Sequence, residues 1–238
     1  MDERTLTIGG LRTVVVRSEQ PRAIVVVLHG FAMQPSDLSP FAHSLNVPGS
    51  FFFPEAPHAA EIAPEDWRGR AWWHIDPVGR AAALARGPRD FCAEHPEGLP
   101  YARRVLADFL SAVRRFDAAL EGAPLILAGF SQGGMLACDA LLRGEIEVDG
   151  LALFSASRIA FDEWQPLLAG AARARSFPPL LISHGMSDDD LAFSAGVALR
   201  DCLEAVGAAP TFVSFPEGHV IPMVVWRAFR KFIKSLAR

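Results

Sequence analysis

The segment from Gly129 to Gly133, with the sequence Gly-Phe-Ser-Gln-Gly, places a serine between two glycines. An apolar run, 124–128, precedes it and a second apolar run, 134–142, follows, so the serine falls on a predicted strand-to-helix turn. Such a turn requires glycine on both sides because larger side chains would collide with the backbone, and it holds the hydroxyl above the sheet edge. Ser131 is therefore a predicted nucleophile for acyl transfer.

A serine hydroxyl is a poor nucleophile at neutral pH unless a base lies beside it and an acid orients that base. In a parallel sheet, the loops that leave the carboxyl ends of the strands open on one side. Two later strands end in suitable loops, because 180–183 leads into the acidic run 188–190 and 211–215 leads to His219. The order serine, acid, histidine is that of α/β-hydrolases.

The residues alone leave alternatives open for the base and the acid. His184 also follows a strand, and we interpret it as a structural histidine. Asp188, Asp189 and Asp190 are adjacent, and an acidic run is usually a solvated loop or the start of a helix. His219 is favoured as the base because a glycine precedes it and the last helix follows it.

Acyl transfer also needs two hydrogen-bond donors for the negative charge that develops on the substrate oxygen. The backbone N–H of Gln132 follows the predicted nucleophile at a helix N-terminus, which makes it one candidate donor. The loop after the strand that ends at Leu28 offers the N–H of Phe31 as the other. The alternative for His29-Gly30 is a plain turn at the end of a strand.

Alternating apolar runs predict the elements that position these residues. Strands are predicted at 6–17 (one or two strands turned at Gly9-Gly10), 23–28, 51–53, 124–130, 150–154, 179–183 and 211–215. Helices are predicted at 39–45, 78–86, 101–120, 134–142, near 163–168, 192–206 and 223–236. The alternation predicts a mostly parallel central sheet with helices on both faces. Together with the order serine, acid, histidine, this gives the α/β-hydrolase fold as the expected fold class. We expect a single domain over 1–238 with an irregular excursion at about 54–100.

Bulk properties exclude several classes of protein. The chain has 238 residues, half of them hydrophobic, and a formal net charge of −4 with no Lys or Arg run, so no nucleic-acid partner is expected. Its three cysteines are far apart and form no CxxC, which indicates neither a disulfide framework nor a metal site. A charged N-terminus and the lack of an apolar run near ~20 residues predict a cytoplasmic protein. The basic amphipathic helix 223–236 is interpreted as a docked core helix, so no membrane association is expected. The sequence does not indicate an oligomeric state.

The chain resembles the phospholipase/carboxylesterase family of α/β-hydrolases, which includes acyl-protein thioesterases and small bacterial carboxylesterases. The matching segments are Leu28-His29-Gly30, 129–134 (Gly-Phe-Ser-Gln-Gly-Gly), 184–188 (His-Gly-Met-Ser-Asp) and Gly218-His219, with further likeness at 53–57 and 73–76. The resemblance implies a Ser131–Asp188–His219 triad with oxyanion donors from Phe31 and Gln132. It also implies hydrolysis of carboxylic esters or thioesters without a metal or organic cofactor.

Departures from the family pattern bear on the substrate. They lie at 31–34, at 189–192 and at 77–100, which looks longer than in compact members. Near the serine the loops offer apolar side chains that suit an acyl or aryl group: Phe31, Met33, Trp72, Trp73, Met186 and Ile221. The alternative is that several of them, Trp72 and Trp73 above all, only cover the sheet edge. No cluster of arginine or lysine is evident that would indicate a phosphorylated substrate.

These observations predict a serine hydrolase that cleaves small-molecule esters with short-to-medium acyl or aryl groups through an acyl-enzyme. Acyl-protein thioesterase or lysophospholipase activity is an alternative within the same family. A catalytically silent ligand-binding protein with this fold is an alternative from another class, but such relatives usually lose a triad member and none is missing here. An activity like that of dienelactone hydrolase generally uses a cysteine nucleophile, whereas position 131 holds serine.

Overall fold

The apolar runs of the sequence form an eight-stranded sheet in the computed structural model, which describes residues 1–60, 69–174 and 177–237. Its strands are β1 (Asp2–Ile8), β2 (Leu11–Arg17), β3 (Ile24–Leu28), β4 (Ser50–Pro54), β7 (Leu125–Phe130), β8 (Gly150–Phe154), β9 (Leu180–Gly185) and β10 (Thr211–Phe215). Two short strands, β5 (His58–Ala59) and β6 (Arg70–Ala71), form a separate pair.

The helices of the described ranges alternate with these strands. They are α1 (Ser39–Leu45), α2 (Pro77–Leu84), α3 (Leu99–Arg114), α4 (Gln132–Leu142), α5 (Phe161–Ala174), α6 (Phe193–Glu204) and α7 (Met223–Leu236). The helix predicted over 101–120 ends at Arg114, and residues 118–120 form a separate 3-10 turn. The carboxylate of Asp117 caps that turn by accepting the N–H of Ala119 at 2.9 Å.

The strand order is β1-β2-β4-β3-β7-β8-β9-β10. β1 pairs with β2, and β2 with β4, in antiparallel fashion, whereas every pair from β4 to β10 is parallel. Gly9 and Gly10 make the turn between β1 and β2 with φ of 54° and 82°, a backbone conformation that glycine adopts without steric cost. The mostly parallel sheet of the predicted fold class is confirmed.

Alternate residues of the central strands face opposite sides of the sheet. In β3, Val26 and Leu28 join a core packed by α3, α4, α5 and α6, whereas Val25 and Val27 join a core packed by α1 and α7. We call these sides the α4 face and the α7 face. Because both faces are covered, the continuous apolar run of β3 is wholly buried.

The described residues of the excursion between β4 and α3 contact the loops that follow β3, β7 and β9. Its residues 61–68 are outside the described ranges, and α2 lies within it. Backbone hydrogen bonds tie it to the loop after β9: the N–H of Arg89 donates to the carbonyl of Asp190, and the N–H of Ala192 donates to the carbonyl of Arg89, both at 2.9 Å.

None of the helices in the described ranges combines the length and the apolar character that crossing a bilayer requires.

Candidate active site

Ser131 occupies the sharp turn between β7 and α4. Its φ of 51° and ψ of −117° lie in a region that non-glycine residues rarely adopt. The turn is held by its backbone, because the Ser131 N–H donates to the Phe154 carbonyl at 2.9 Å and the Ser131 carbonyl accepts the N–H groups of Gly134 and Met135 at 3.0 Å. Strain of this kind persists only where the surroundings impose it, and it clusters at functional sites.

The flanking glycines allow β7, α4 and the loop after β3 to approach one another. A Cβ at Gly133 would lie 2.7 Å from the carbonyl oxygen of His29, and a Cβ at Gly129 would overlap the backbone of Gly133. A Cβ at Gly134 would lie 2.8 Å from the Gly129 carbonyl oxygen. The three glycines therefore meet a steric requirement of this turn.

Asp188 and His219 are in direct contact. The Nδ1–H of His219 donates to Oδ2 of Asp188 at 2.7 Å, and the Asp188 side chain is fully buried. The other carboxylate oxygen, Oδ1, accepts the backbone N–H groups of Asp190 at 3.0 Å and Leu191 at 2.8 Å. With Nδ1 as the donor, the neutral imidazole has Nε2 as its free acceptor.

His184 lies beneath this pair and is wholly buried. One ring nitrogen, Nε2, bonds the carbonyl of Leu191 at 3.0 Å and lies 3.4 Å from Oδ2 of Asp188. Burial lowers the pKa of His184, although Leu191 and Asp188 oppose that effect. The packing of Gly196 against this ring leaves no room for a side chain at position 196. These contacts fit the interpretation of His184 as a structural histidine.

The three adjacent acids have different surroundings. Asp189 is exposed, whereas Asp190 forms ion pairs with Arg80 and Arg89. Burial would raise the pKa of Asp190, but the hydrogen bond and charge of Arg89, together with the charges of His219 and Arg80, lower it overall. Among the described contacts of the three aspartates, the one with His219 is made by the side chain of Asp188.

Ser131 and His219 line the same cavity. The ring of Phe130, directly before Ser131, lies 4.8 Å from the ring of His219 between centroids. Within the described ranges the Ser131 hydroxyl makes no hydrogen bond, so it is not hydrogen-bonded to Nε2 of His219 in this structure. Hydrogen bonds of this type often tighten only in the substrate complex.

The two predicted oxyanion donors flank the turn. The amides of Phe31 and Gln132 have no acceptor among the described residues, and both residues line the cavity. The loop that carries Phe31 is fixed by Ala32, whose N–H donates to the carbonyl of Arg70 at 2.9 Å. Both amides are therefore available to a bound oxygen atom.

The side chain of Gln132 has a structural role that the sequence did not indicate. Its Oε1 accepts the backbone N–H of Trp72 at 2.8 Å, and its Nε2 donates to the carbonyl of Trp73 at 2.9 Å. The indole N–H of Trp72 donates to the carbonyl of His29 at 3.0 Å. Gln132 thus ties the tryptophan segment to the turn that carries Ser131.

The cavity has a volume of about 480 Å³. Four of the predicted apolar residues line it: Phe31, Met33, Trp73 and Ile221. Trp72 does not line it, because its side chain is buried in the core and bonded to His29. Met186 does not line it either, because its side chain points to the surface and is 53% exposed.

Further apolar residues, to which the sequence did not point, also line the cavity. On the α7 face they include Leu38, Phe41 and Phe130, and on the α4 face Met135, Phe91 and Leu191. Leu38 and Phe41 lie at the start of α1, a helix that the sequence predicts from its proline and its helical spacing. Nothing local in the sequence shows that α1 borders the serine. Four charged residues also line the cavity: Asp37, Arg80, Arg89 and Asp190.

His29 connects the loop after β3 to the excursion. Nδ1 of its ring bonds the carbonyl of Gly30 at 2.7 Å and Nε2 accepts the backbone N–H of Ala56 at 3.1 Å, which fixes a neutral tautomer. Burial lowers the pKa of His29 from 6.5 to about 4, with the Gly30 hydrogen bond opposing. A protonated ring could no longer accept from Ala56.

We expect His29 to make folding stability depend on pH. Because the folded pKa lies below the unfolded value, the contribution is present above pH 6.5 and is lost as the pH falls from 6.5 towards 4. The loss amounts to about 3 kcal/mol in the free energy of unfolding. Urea denaturation at pH 7 and pH 4 should show a smaller decrease for His29→Gln than for the wild type. His43→Gln, at a half-exposed position, should keep the wild-type decrease; equal decreases in all three proteins would contradict the assignment.

Comparison with known proteins identifies the family. The model of the Phospholipase/Carboxylesterase family matches residues 10–237. A probable carboxylesterase of Oryza sativa subsp. japonica is 27% identical over 194 residues, covering 78% of this chain and 74% of the relative. Acyl-protein thioesterase 1 of Neurospora crassa is 23% identical over 171 residues, covering 71% of this chain and 66% of the relative.

Solved structures share the fold at lower identity. The crystal structure of esterase PE8 matches with a TM-score of 0.74 and 24% identity, covering 99% of this chain and 100% of that one. Acyl-protein thioesterase 2 of Zea mays matches with a TM-score of 0.75 and 22% identity, covering 95% and 99%. With the family match across nearly the whole chain, these findings show that the chain belongs to the phospholipase/carboxylesterase family of α/β-hydrolases and is a carboxylic ester hydrolase.

Proposed function

We propose that the chain is a serine esterase for small-molecule esters with short-to-medium acyl or aryl groups, acting through an acyl-enzyme. The observation that carries the proposal is the partly buried hydrogen bond between Asp188 and His219, beside a cavity that both His219 and Ser131 line. A carboxylate, an imidazole and a serine in this chain order are the parts that an activated serine needs.

In the proposed reaction, Nε2 of His219 takes the proton of the Ser131 hydroxyl as the oxygen attacks the ester carbonyl carbon. Asp188 keeps Nδ1 protonated and stabilises the imidazolium that forms. The N–H groups of Phe31 and Gln132 bind the oxyanion. His219 then protonates the leaving alcohol, and a water molecule attacks the acyl-enzyme by the same route, which returns Ser131 to its hydroxyl form.

The size and lining of the cavity support the substrate range. Ligand pockets span roughly 300–1,000 Å³, and the cavity of about 480 Å³ lies in the lower half of that range. The wall on the α7 face is made mainly of apolar side chains, with Met33, Leu38 and Phe41 among them. Such a wall favours an apolar acyl group of limited length over a long lipid chain.

A chain-length series tests this substrate range. We expect kcat/KM for p-nitrophenyl esters to peak between acetate and octanoate and to fall at least tenfold at palmitate, because the cavity cannot enclose the longer chain. Rates should be measured with the Ser131→Ala protein as the blank and with acyl-CoA thioesters of matching lengths in parallel. A profile that rises steadily to palmitate, or a matching long-chain preference among thioesters, would favour the thioesterase or lysophospholipase alternative instead.

A further inference from the structure

The excursion and the loop after β9 together contribute a cluster of three charged side chains to the wall of the cavity. Nη2 of Arg80 donates to Oδ2 of Asp190 at 2.5 Å, and Nη2 of Arg89 donates to Oδ1 of the same carboxylate. The side chains of Arg80, Arg89 and Asp190 are only 26%, 15% and 18% exposed. Two positive charges and one negative charge leave this arginine cluster with a formal charge of +1.

The cluster lies close to the proposed reacting groups. The guanidinium carbon of Arg80 is 5.8 Å from the centre of the Phe31 ring, and Phe31 supplies a proposed oxyanion donor. Asp190 is near enough to His219 for the charge of the imidazole to lower its pKa. Arg80, Arg89 and Ser131 line one cavity, so a single bound molecule can present one group to the cluster and its ester to Ser131.

Both arginines are held in place. Arg80 projects from α2, whose first turn is capped by the Asp76 carboxylate through the N–H groups of Val78 and Gly79 at 3.1 and 2.9 Å. The Arg89 guanidinium lies 4.6 Å from the centre of the Phe91 ring, and its backbone bridges to the loop after β9. Guanidinium groups fixed in this way lose little conformational entropy when they bind a ligand.

Asp190 does not exhaust the hydrogen-bonding capacity of the cluster. Each guanidinium has five N–H donors, and one nitrogen of each bonds the Asp190 carboxylate. The buried Nε of Arg89 has no partner among the described residues. One arginine would suffice to neutralise Asp190, so the second leaves a positive charge in a largely apolar cavity. A carboxylate bound there would pair with this charge through charge-assisted hydrogen bonds.

The wall on the α7 face has no arginine or lysine among its described residues. It is formed mainly by apolar side chains of the α7 face, with Asp37 as its charged member. Asp37 is exposed, and its carboxylate accepts the backbone N–H of Gln34 at 2.7 Å. Among the described residues that line the cavity, arginine side chains come from the excursion alone.

We propose that Arg80 and Arg89 determine specificity by binding a carboxylate of the substrate, so that the enzyme prefers esters carrying a free carboxylate to neutral esters of the same length. Monoesters of dicarboxylic acids carry that group on the acyl side, and esters of hydroxybenzoic acids carry it on the alcohol side. The inference rests on the proposed esterase function, in which Ser131 attacks the ester of the same molecule.

Two substrate pairs test the inference and separate the two sides. Monomethyl adipate is compared with methyl hexanoate for the acyl side, and 4-acetoxybenzoate with 4-methylphenyl acetate for the alcohol side. We expect kcat/KM of the wild type to be at least tenfold higher for the charged member of one pair. That preference should shrink as sodium chloride is raised from 0.02 to 0.5 M, because salt screens the arginines. These two comparisons use the wild-type protein alone.

Arg80→Met should lower kcat/KM for the preferred charged ester at least tenfold and for its neutral partner by a smaller factor, whereas Arg80→Lys should keep part of the preference. Arg86→Met is the matched control, because Arg86 is exposed on the same segment and does not line the cavity; it should match the wild type. A wild type that prefers the neutral member of both pairs, or an Arg80→Met protein that loses both members equally, overturns the inference. Because the proposed function is tested separately with p-nitrophenyl butyrate, activity on that ester without a charge preference would reject this inference alone.

Discussion

Replacing Ser131 with alanine is expected to lower kcat/KM for p-nitrophenyl butyrate by at least about 10⁴-fold, the scale of loss when a triad nucleophile is removed. The reason is that alanine removes the only group proposed to form the acyl-enzyme. The strained turn should survive, because its hydrogen bonds to Phe154, Gly134 and Met135 are made by the Ser131 backbone and not by its hydroxyl. Stopped-flow or continuous absorbance assays, with thermal unfolding as the check on folding, measure both effects.

Labelling gives an independent readout of the same residue. A fluorophosphonate should modify the wild type once, at Ser131 by peptide mass, and should leave Ser131→Ala unmodified. Ser155 is a suitable control, because it is a buried serine at the end of the neighbouring strand β8; Ser155→Ala should still be labelled. Full activity in Ser131→Ala would refute Ser131 as the nucleophile, whereas a wild type that hydrolyses no ester and takes up no probe would favour a catalytically silent binding protein.

Local signals in the sequence predicted the framework well. β8, β10 and α7 have the predicted bounds, because apolar runs or helical periodicity are interrupted sharply at each end. The turn at Ser131 is also a local feature, since strand, glycines and helix are contiguous. The helix predicted near 163–168 is longer, Phe161–Ala174, and continues through Pro166. The fully buried Trp164, whose indole N–H bonds Asp139 at 2.7 Å, anchors this helix.

The parts of the site that the sequence did not predict depend on contacts between distant segments. Arg80 and Arg89 are 110 and 101 residues from Asp190 along the chain, and no periodicity relates them. The burial of Trp72 likewise depends on the His29 carbonyl and the Gln132 side chain. Composition could show that aromatic residues stand near the serine, but not which of them faces the cavity. The substrate is therefore less predictable from sequence than the chemistry.

The acidic run 188–190 shows how tertiary contacts resolve an ambiguity that sequence leaves open. All three residues are aspartates on one loop after β9. Their surroundings separate them: Asp188 is buried against His219, Asp189 is exposed, and Asp190 joins the arginine cluster. Each aspartate can therefore be given a different proposed role, and the same substitution, aspartate to asparagine, can test each role.

Asp188→Asn is expected to lower kcat by about 10⁴-fold, as when a triad histidine is forced into the wrong tautomer. The structure gives the reason. Oδ1 of Asp188 accepts two backbone N–H groups, from Asp190 and Leu191, so the carbonyl oxygen of an asparagine would take that place. Its NH₂ group would then face Nδ1 of His219 and donate to it. The proton would have to sit on Nε2, leaving the imidazole no lone pair with which to take the proton of Ser131.

Asp189→Asn is the matched control for this substitution, because it makes the same chemical change one residue away at an exposed position. We expect its kcat for p-nitrophenyl butyrate to lie within about twofold of the wild type, as expected for a surface charge that touches no proposed reacting group. Urea denaturation of both variants separates loss of catalysis from loss of folding. If Asp188→Asn retained a tenth or more of the wild-type kcat, or if Asp189→Asn were equally impaired, the contact of Asp188 with His219 would be structural and the acid of the mechanism would lie elsewhere. The hydrogen bonds of the two Asp188 oxygens argue against that outcome, since they fix the orientation in which only a carboxylate can accept from every neighbour.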